Sequence, residues 1–558
     1  MHLEGAAMTI VALNVADVKG VPTADQVGSQ PQTSAEAERE IRQRLDALIT
    51  DIRKRSTADT VLTVERFLFA EVLLLGRLLL QFFLSLAHEA LDVPGSSRRG
   101  RARFERQGPK GRALRTVFGP LRYVRFYMHK KNGKGGGYFP LDEKLGLTAD
   151  GFSLQVLSWA TQLGTKMSYA AAAMVLRGFI GWSPSTKSIE KAVLGLGGYA
   201  EEYLDGLPRP ADDGEVLILQ FDGKGIPTAT AAELDKRRGE RPERTSLKSA
   251  RHRGREKRRR RGPKTRRARG DKSKNARVSH VIVLYTLRRH RDENGCEVLI
   301  GPVNKRVYVS PGTKKQAIQR GRRLADRRGF TADSGKDVQI LTDGDVGYAD
   351  AIGEYFPEVV AKGRHTLDML HAVEYLWEAA YLLEPDDQAT RANWVAERKS
   401  ELCTDALDEM LDAMRSRLDE LSDDEPPVKV DSRKGKGRPR KRKTPRQKLR
   451  GIIAYLETRT HMMNYQQLGR EDLEWATGIV EGAVNYVLGQ RFDEGGMRWI
   501  RERSAPLAHL RCVEINGCWD DFIGSVNNRL MTQARRSKSP PRLLTNVPPP
   551  LPAYDAAA

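Results

Sequence analysis

The spacing of apolar positions changes several times along the chain, and each change marks a different kind of element. In "SAEAEREIRQRLDALITDIRKRS" the helical period puts Ile41, Leu45, Leu48 and Ile49 on one stripe. The next segment, "RFLFAEVLLLGRLLLQFFLSLAHEAL" (66–91), is long and apolar enough to pass for a membrane span. Glu71, Arg77 and Gln81 interrupt it, so a buried helix is predicted instead. "LRTVFGPLRYVRFYMHKK" (114–131) then alternates at period two, which predicts a hairpin turning at Gly119-Pro120. Helical spacing returns in "KMSYAAAAMVLRGFIGWSPSTKSIEKAVLGLG" (166–197), with Ser168 and Ser183 as N-caps and a break at Gly181-Trp182. This pair fits a DNA-reading helix-turn-helix or an ordinary helical hairpin.

Beyond residue 214 the pattern is α/β. "VLILQFDGKGI" (216–226), "VSHVIVLYTLRRH" (278–290) and "KRVYVS" (305–310) predict three strands, the apolar run of the first giving way to Asp222 and Gly-Lys-Gly. "KKQAIQRGRRLADRRG" (314–329) predicts a helix, "VQILTDGDVGY" (338–348) a strand ending in acids, and "YADAIGEYFPEV" a short helix. "GRHTLDMLHAVEYLWEAAYLL" (363–383) reads as a strand passing into a helix. Three strands, helix, strand, helix and strand is the order of an RNase H-like fold. The fold class expected is therefore an α/β RNase H-like catalytic core with a helical insertion, preceded by mainly α DNA-binding regions.

The expected organisation follows from these switches. Residues 1–35 are a disordered N-terminus, 36–95 a helical region, and 96–205 a small hairpin plus a helix-turn-helix-like DNA-binding region. The core occupies 214–385, with a basic arm inserted at 236–277. A helical insertion spans 386–470 and contains a basic linker at 429–450; 471–530 returns to the core, and 531–558 is a proline-rich disordered tail.

Charge sharpens the picture. The 558-residue chain carries 94 Lys and Arg against 72 Asp and Glu, a net +22, which points to a polyanionic partner, most simply double-stranded DNA. The excess is concentrated in the arm, around Arg258, Arg259, Arg260 and Arg261, and in the linker 429–450. Both read as arms lying along phosphates, in binding that weakens steeply with salt; a solubilising loop is the plain alternative. Four scattered cysteines and no CxxC pair predict neither a disulfide framework nor structural zinc. No secretion signal is recognised at the start, and a cytoplasmic protein is expected.

Twice an apolar run ends in acid: "LILQFD" at Asp222, and "VQILTDGD" at Asp343 and Asp345. Side chains at the carboxyl ends of sheet strands emerge into a crevice, where two carboxylates repel unless something positive lies between them. Hard Mg²⁺, with Mn²⁺ as a substitute, suits such oxygen donors, and two ions can serve an in-line phosphoryl displacement. Each acid alone could equally cap a turn, since Asp-Gly is a common turn dipeptide. Glu481 in "WATGIVEGAVNYVLGQRF" is the best third ligand: Thr477 can cap its helix, and it lies close to a stripe of Ile479, Ala483, Val484 and Val487. Glu474 and Glu494 are weaker rivals.

Three segments carry a family resemblance: "TDGDVGY", "HTLDMLHAVEYLWEAAYLL", and "GIVEGAVNYVLGQRFDEGGMRWIRERSAPLAHLRCVEINGCWDDF". From about residue 96 to 530 the chain resembles DDE transposases of the Kra-type bacterial insertion-sequence family, and more distantly Mutator-like transposases. The resemblance implies a catalytic and metal-binding triad of Asp222, Asp343 and Glu481, with a helical insertion between the second and third acids. Asp368 and His371 match its Asp-x-x-His element; His371 reads either as a DNA contact or as a hydrogen-bonded lock between the fifth strand and its helix. Lys224, Arg498 and Trp499 are supporting or DNA-contacting candidates, although a packed tryptophan is the commoner situation. Relatives often carry a cysteine-rich knuckle where this chain reads "MHKKNGKGGGYFPLD". The implied activity is cleavage and joining of terminal inverted repeats by an enzyme that oligomerises on DNA in the bacterial cytosol. The alternatives are an RNase H-like nuclease or resolvase that only hydrolyses, and a DNA-binding protein that has lost catalysis.

Overall fold

The computed structural model describes residues 33–131, 136–229, 276–404, 406–423, 443–493, 499–536 and 541–544. The arm with Arg258–Arg261, Glu494, Arg498 and most of the linker 429–450 lie outside the described residues. The chain divides into two compact units, Met1–Gly206 with Glu502–Ala558, and Leu207–Arg501.

In the first unit, helices α1 (Ser34–Arg55) and α2 (Val61–Glu89) form a hairpin, each capped at its start by a threonine side chain, Thr33 and Thr60. A four-stranded antiparallel sheet follows: β1 (Ser96–Arg99), β2 (Ala102–Thr116), β3 (Gly119–Lys130) and β4 (Gly137–Tyr138), in sequential order. Thr116 pairs with Gly119, so Val117 and Phe118 make the turn, two residues before the predicted Gly119-Pro120, and Pro120 already lies in the strand. Gly119 supplies the positive φ of 103° at this reversal. Behind the sheet, buried Asp142 in α3 (Pro140–Lys144) accepts from the Tyr123 hydroxyl at 2.6 Å and pairs with Arg112 at 2.7 Å and with Arg125. A buried carboxylate needs such partners, and here they tie α3 to β2 and β3.

The helix α4 (Leu154–Lys166) precedes the predicted helical pair, α5 (Tyr169–Ile180) and α6 (Thr186–Asp205). Ser168 caps α5 as expected. The cap of α6 is Ser185, not Ser183, whose hydroxyl is buried without a partner. The largest departure concerns α2. Expected to be buried, it buries only Glu71, Leu84 and Ser85 fully, and six large apolar side chains between Leu62 and Leu86 stay exposed.

The second unit is built on a mixed sheet. Strands β5 (Val216–Ala229), β6 (Ala276–Arg291) and β7 (Glu297–Ser310) are antiparallel; α7 (Lys314–Arg327) follows them. Strands β8 (Asp337–Thr342) and β9 (His365–Leu367) then run parallel to β5, separated by α8 (Val346–Tyr355) and α9 (Pro357–Ala361). The spatial order β7-β6-β5-β8-β9 is that of the RNase H-like fold, as the order of predicted elements implied. Strand β5 is buried through Val216–Phe221, so its near-continuous apolar run is that of a central strand. After α10 (Met369–Leu383) comes the helical insertion: α11 (Gln388–Cys403), α12 (Leu407–Ser416), α13 (Pro445–Glu457) and α14 (Tyr465–Arg470). The chain returns to the sheet through α15 (Gly478–Val484), which passes into a π-helical stretch at Asn485–Asp493, and a two-residue strand β10 (Trp499–Ile500).

Strand β5 does not stop at Asp222. Gly223, Lys224 and Gly225 continue the ladder with His280, Ser279 and Val278 of β6. Turn propensity loses here to pairing: a Cβ on Gly223 would lie 2.9 Å from the His280 ring and 3.1 Å from Val278, so glycine lets the strands keep their approach. What ends near Asp222 is the other side of the strand. Pairing with β8 stops at Gln220–Leu341, two residues before Asp222.

Candidate active site

The register places the acids. Two residues beyond the pair Gln220–Leu341, the parallel strands reach Asp222 and Asp343; one residue beyond Thr342–Leu367, they reach Asp343 and Asp368. Three neighbouring strands thus carry an aspartate to the same level at their carboxyl ends, where the open side of an α/β sheet lies.

Glu481 comes from far along the chain, and two buried glutamines bring it in. Gln220 stands on the same face of β5 as Asp222. Its side-chain oxygen accepts the Val480 N–H at 3.0 Å, while its amide donates to the Ala476 carbonyl at 3.3 Å and the Tyr285 hydroxyl at 3.0 Å. Gln339 of β8 does the same one step earlier. Its oxygen accepts the Glu474 N–H at 3.0 Å, and its amide donates to the Glu474 carbonyl at 2.7 Å and to Thr366 at 3.0 Å. Both side chains are fully buried, and each satisfies backbone that would otherwise lack a partner. The chain from Glu474 to Val480 is thereby stitched onto the sheet beside Asp222. Period-two alternation alone does not identify these glutamines as clasps, although an amide inside each apolar run was visible in the sequence.

Asp368 joins the same construction. It caps α10 by accepting the Leu370 N–H at 3.0 Å, and it accepts the Thr477 N–H at 3.2 Å and the Thr477 hydroxyl. Thr477 therefore does not cap α15 with its side chain, as the sequence predicts; its hydroxyl is given to Asp368. The lock imagined for His371 belongs to Asp368. The His371 ring is partly exposed, 3.5 Å from Glu374 and edge-on to Tyr375, with its centroid 5.7 Å away.

The Asp343 turn is held from the insertion. The Tyr455 hydroxyl donates to the Asp343 carbonyl at 2.7 Å, and Arg459 to the Gly344 carbonyl at 2.6 Å. The Asp343 carboxylate accepts the Asp345 N–H at 3.0 Å. Asp345 caps α8 through the Gly347 N–H and pairs with Lys314, so of the two acids in "TDGD" it is the one committed to structure.

Electrostatics ties the three acids together. Burial pushes the Asp222 carboxyl above the usual carboxylate range, the Gly223 N–H pulls it back, and negative Asp343 and Glu481 raise it further; a charged His371 opposes them. Other acids of this unit have cations: Asp213 with Arg328, Asp345 with Lys314, Glu471 with Arg364. Among the described residues no lysine or arginine pairs with Asp222, Asp343 or Glu481. Nor, among those residues, do three or more His, Cys, Asp or Glu side chains stand close enough to hold a metal ion as they are. The donor set nonetheless fits hard divalent cations: oxygens alone, a carboxylate whose charged form burial disfavours, and no competing cation.

Behind Asp222, His280 accepts from or donates to the Tyr348 hydroxyl at 2.7 Å, and burial with Lys314 nearby lowers its pKa to about 4. Tyr348 is buried and titrates above its ordinary range, first through burial and then through Asp343 and Asp222. This neutral pair forms an uncharged wall that sequence reasoning missed.

The predicted residues differ in their exposure and packing. Glu481 is on the exposed side of α15, and Val480 rather than Ile479 completes the buried stripe. Lys224 pairs with Asp493 at 3.6 Å. Burial raises the Glu474 carboxyl, which the Tyr285 hydroxyl engages, away from the three acids. Trp499 is buried in β10, its ring 4.9 Å from Phe492 and under the Arg491 guanidinium at 4.8 Å, so it packs and does not present a face to a DNA base.

No protein-family model and no curated protein matches the chain. Among solved structures it is similar to the Drosophila P element transposase strand transfer complex, at 11% identity and a TM-score of 0.27, covering 67% of this chain and 94% of that one. So distant a likeness adds nothing to the strand order, which identifies the RNase H-like fold by itself.

Proposed function

We propose that the chain is a DDE transposase of an insertion sequence, which binds terminal inverted repeats and cuts and joins DNA strands at Asp222, Asp343 and Glu481. The observation that carries this reading is that Asp343 and Glu481 act electrostatically on Asp222 at the carboxyl ends of an RNase H-like sheet, with no cationic side chain paired to the three among the described residues, in a chain of net charge +22. Mg²⁺ bound by these carboxylates would supply activation of the attacking oxygen and stabilisation of the leaving one. The chain's own contribution is positional. Gln220 and Gln339 fix the approach of Glu481, Asp368 holds Thr477 at the start of α15, and Tyr455 and Arg459 brace the turn that carries Asp343. His371 stands close enough to Asp222 to act on it, where its ring would meet a scissile phosphate. The basic arm 236–277 and the region 96–205 would supply the contacts to phosphates that hold the DNA ends.

The test supplies pre-cleaved ends of the element, a target plasmid and Mg²⁺. Joined product supports transposition; hydrolysis without joining assigns the chain to the nucleases. If Asp222→Ala left all cellular activity unchanged, catalysis would not be its role. Asp222→Asn should lower joining by roughly 10³-fold or more while leaving end binding within a few-fold.

A further inference from the structure

The apolar helix α2 buries one face and leaves another bare. Leu80, Leu84 and Ala87 pack against Leu114, Leu121, Tyr123 and Leu141 in the small sheet. On the other side Leu62, Phe69, Val72, Leu79, Phe83 and Leu86 are each between 43% and 58% exposed. Their spacing is that of a heptad: positions 62, 69, 76 and 83 form one series and 65, 72, 79 and 86 the other. Only Gly76 and Glu65 interrupt it. Gly76 is where the Phe118 ring, itself 37% exposed, lies against the helix; a Cβ there would meet it at 2.5 Å. The hairpin tip thus fills the gap in the seam with another apolar group. Leu45 and Ile49 of α1 are also exposed, at 47% and 46%.

We propose that this seam is a dimer interface, occupied by α2 of a second copy of the chain running antiparallel. Side chains of this size, about half exposed, offer on the order of 500 Å² per copy, and the Phe118 ring adds to them, toward the ~800 Å² per partner of a specific interface. That exceeds the few hundred Å² of contiguous apolar surface usual for a monomer. The seam is self-complementary. Turned about a two-fold axis between residues 72 and 76, Leu62 meets Leu86, Phe69 meets Leu79, and Val72 meets the Gly76 notch with its Phe118 ring. A parallel pair would set Glu65 against Glu65; the antiparallel one sets it against Phe83, beside the aliphatic stem of its own neighbour Arg66.

By length and mean hydropathy, 2.0 over the best 18-residue window, α2 could also cross a membrane. The helix argues for a protein partner. Glu71 pairs with Arg44 of α1 at 2.8 Å, and Arg77 sits half-buried where a bilayer would be thickest. A spanning helix would also have to leave the sheet that holds its other face.

The full chain, without DNA or metal, is measured by light scattering coupled to size exclusion over a range of micromolar concentrations. A dimer is expected, and Phe69→Glu with Leu79→Glu should weaken it by ~100-fold or more with an unchanged far-UV spectrum, because each charge would be buried against the partner. Phe69→Leu with Leu79→Ile should keep the dimer. An equal mixture of Leu62→Cys and Leu86→Cys chains should form mixed disulfide dimers under oxidation, and neither chain alone should. A monomer at every concentration, a dimer indifferent to the glutamates, or flotation with anionic vesicles that the glutamates abolish would each overturn the proposal. It does not rest on the transposase reading: the experiment uses no DNA, so loss of strand joining and loss of the dimer are separate outcomes.

Discussion

Asp222 is held under conditions that a carboxylate alone would avoid. Burial comes first among the causes, and Asp343 and Glu481 add to it, so its proton is bound more tightly in the folded chain than in the unfolded one. The sign of the pH dependence follows. Between the unfolded pKa, about 3.9, and the higher folded one, the native state holds more protons, so stability falls as pH rises through that window and stays reduced above it. Asp222→Asn removes the penalty. In metal-free protein at pH 7 it should melt at a higher temperature than the parent, and the difference should vanish near pH 3; thermal scans at the two pH values measure both. Added Mg²⁺ or Mn²⁺ should then raise the melting temperature of the parent and not that of the variant, since a ligand stabilises only the state that binds it. A variant that melts lower than the parent at pH 7 would mean that the acid is structural, as Asp368 is.

At the scale of elements, the triad depends on a short segment stitched to a sheet. Gln220→Ala would leave the Val480 N–H and the Ala476 carbonyl without their partner in a closed interior, at a cost of about 1–3 kcal/mol. More telling is where the loss appears: α15 loosens, so the metal concentration for half-maximal joining should rise while Asp222 and Asp343 remain in place. Tyr455→Phe removes one hydrogen bond to the Asp343 carbonyl and should cost about 1 kcal/mol, read by urea titration. These elements also show what a sequence can and cannot disclose. Asp222 and Asp343 were legible because an acid closing an apolar run is unusual, and strand order was legible because each element keeps its own period. The clasps were not, because a buried amide names no partner and the Glu474–Val480 backbone lies far away in the chain. Trp499 could not be placed without Phe492 and Arg491 around it, and the exposure of α2 is invisible to hydropathy, which counts apolar residues without knowing what covers them.

At the scale of the whole molecule, the charge is not spread as a solvated coat. The carboxyl ends of the sheet strands collect negative charge at Asp222 and Asp343, with Glu481 close enough to add to it, while the chain as a whole carries +22, much of it in the arm 236–277. Such an arrangement separates two jobs: the acids repel a phosphate backbone unless cations intervene, and the basic segments attract it over longer distances. The separation has a measurable consequence. Each phosphate contact from a lysine or arginine adds about 0.9 to the slope of log affinity against log salt on duplex DNA. Replacing Arg258, Arg259, Arg260 and Arg261 by glutamine should flatten that slope by up to ~3–4 units, and weaken specific and non-specific duplexes alike, because phosphate contacts carry no sequence information. Asp222→Asn should leave the slope unchanged in the absence of metal beyond the effect of one removed negative charge. Fluorescence anisotropy with a labelled duplex between 50 and 300 mM salt (roughly the range in which counterion release is readable) distinguishes the two. An unchanged slope in the arginine variant would make the arm a tether and move the DNA contact elsewhere on the chain.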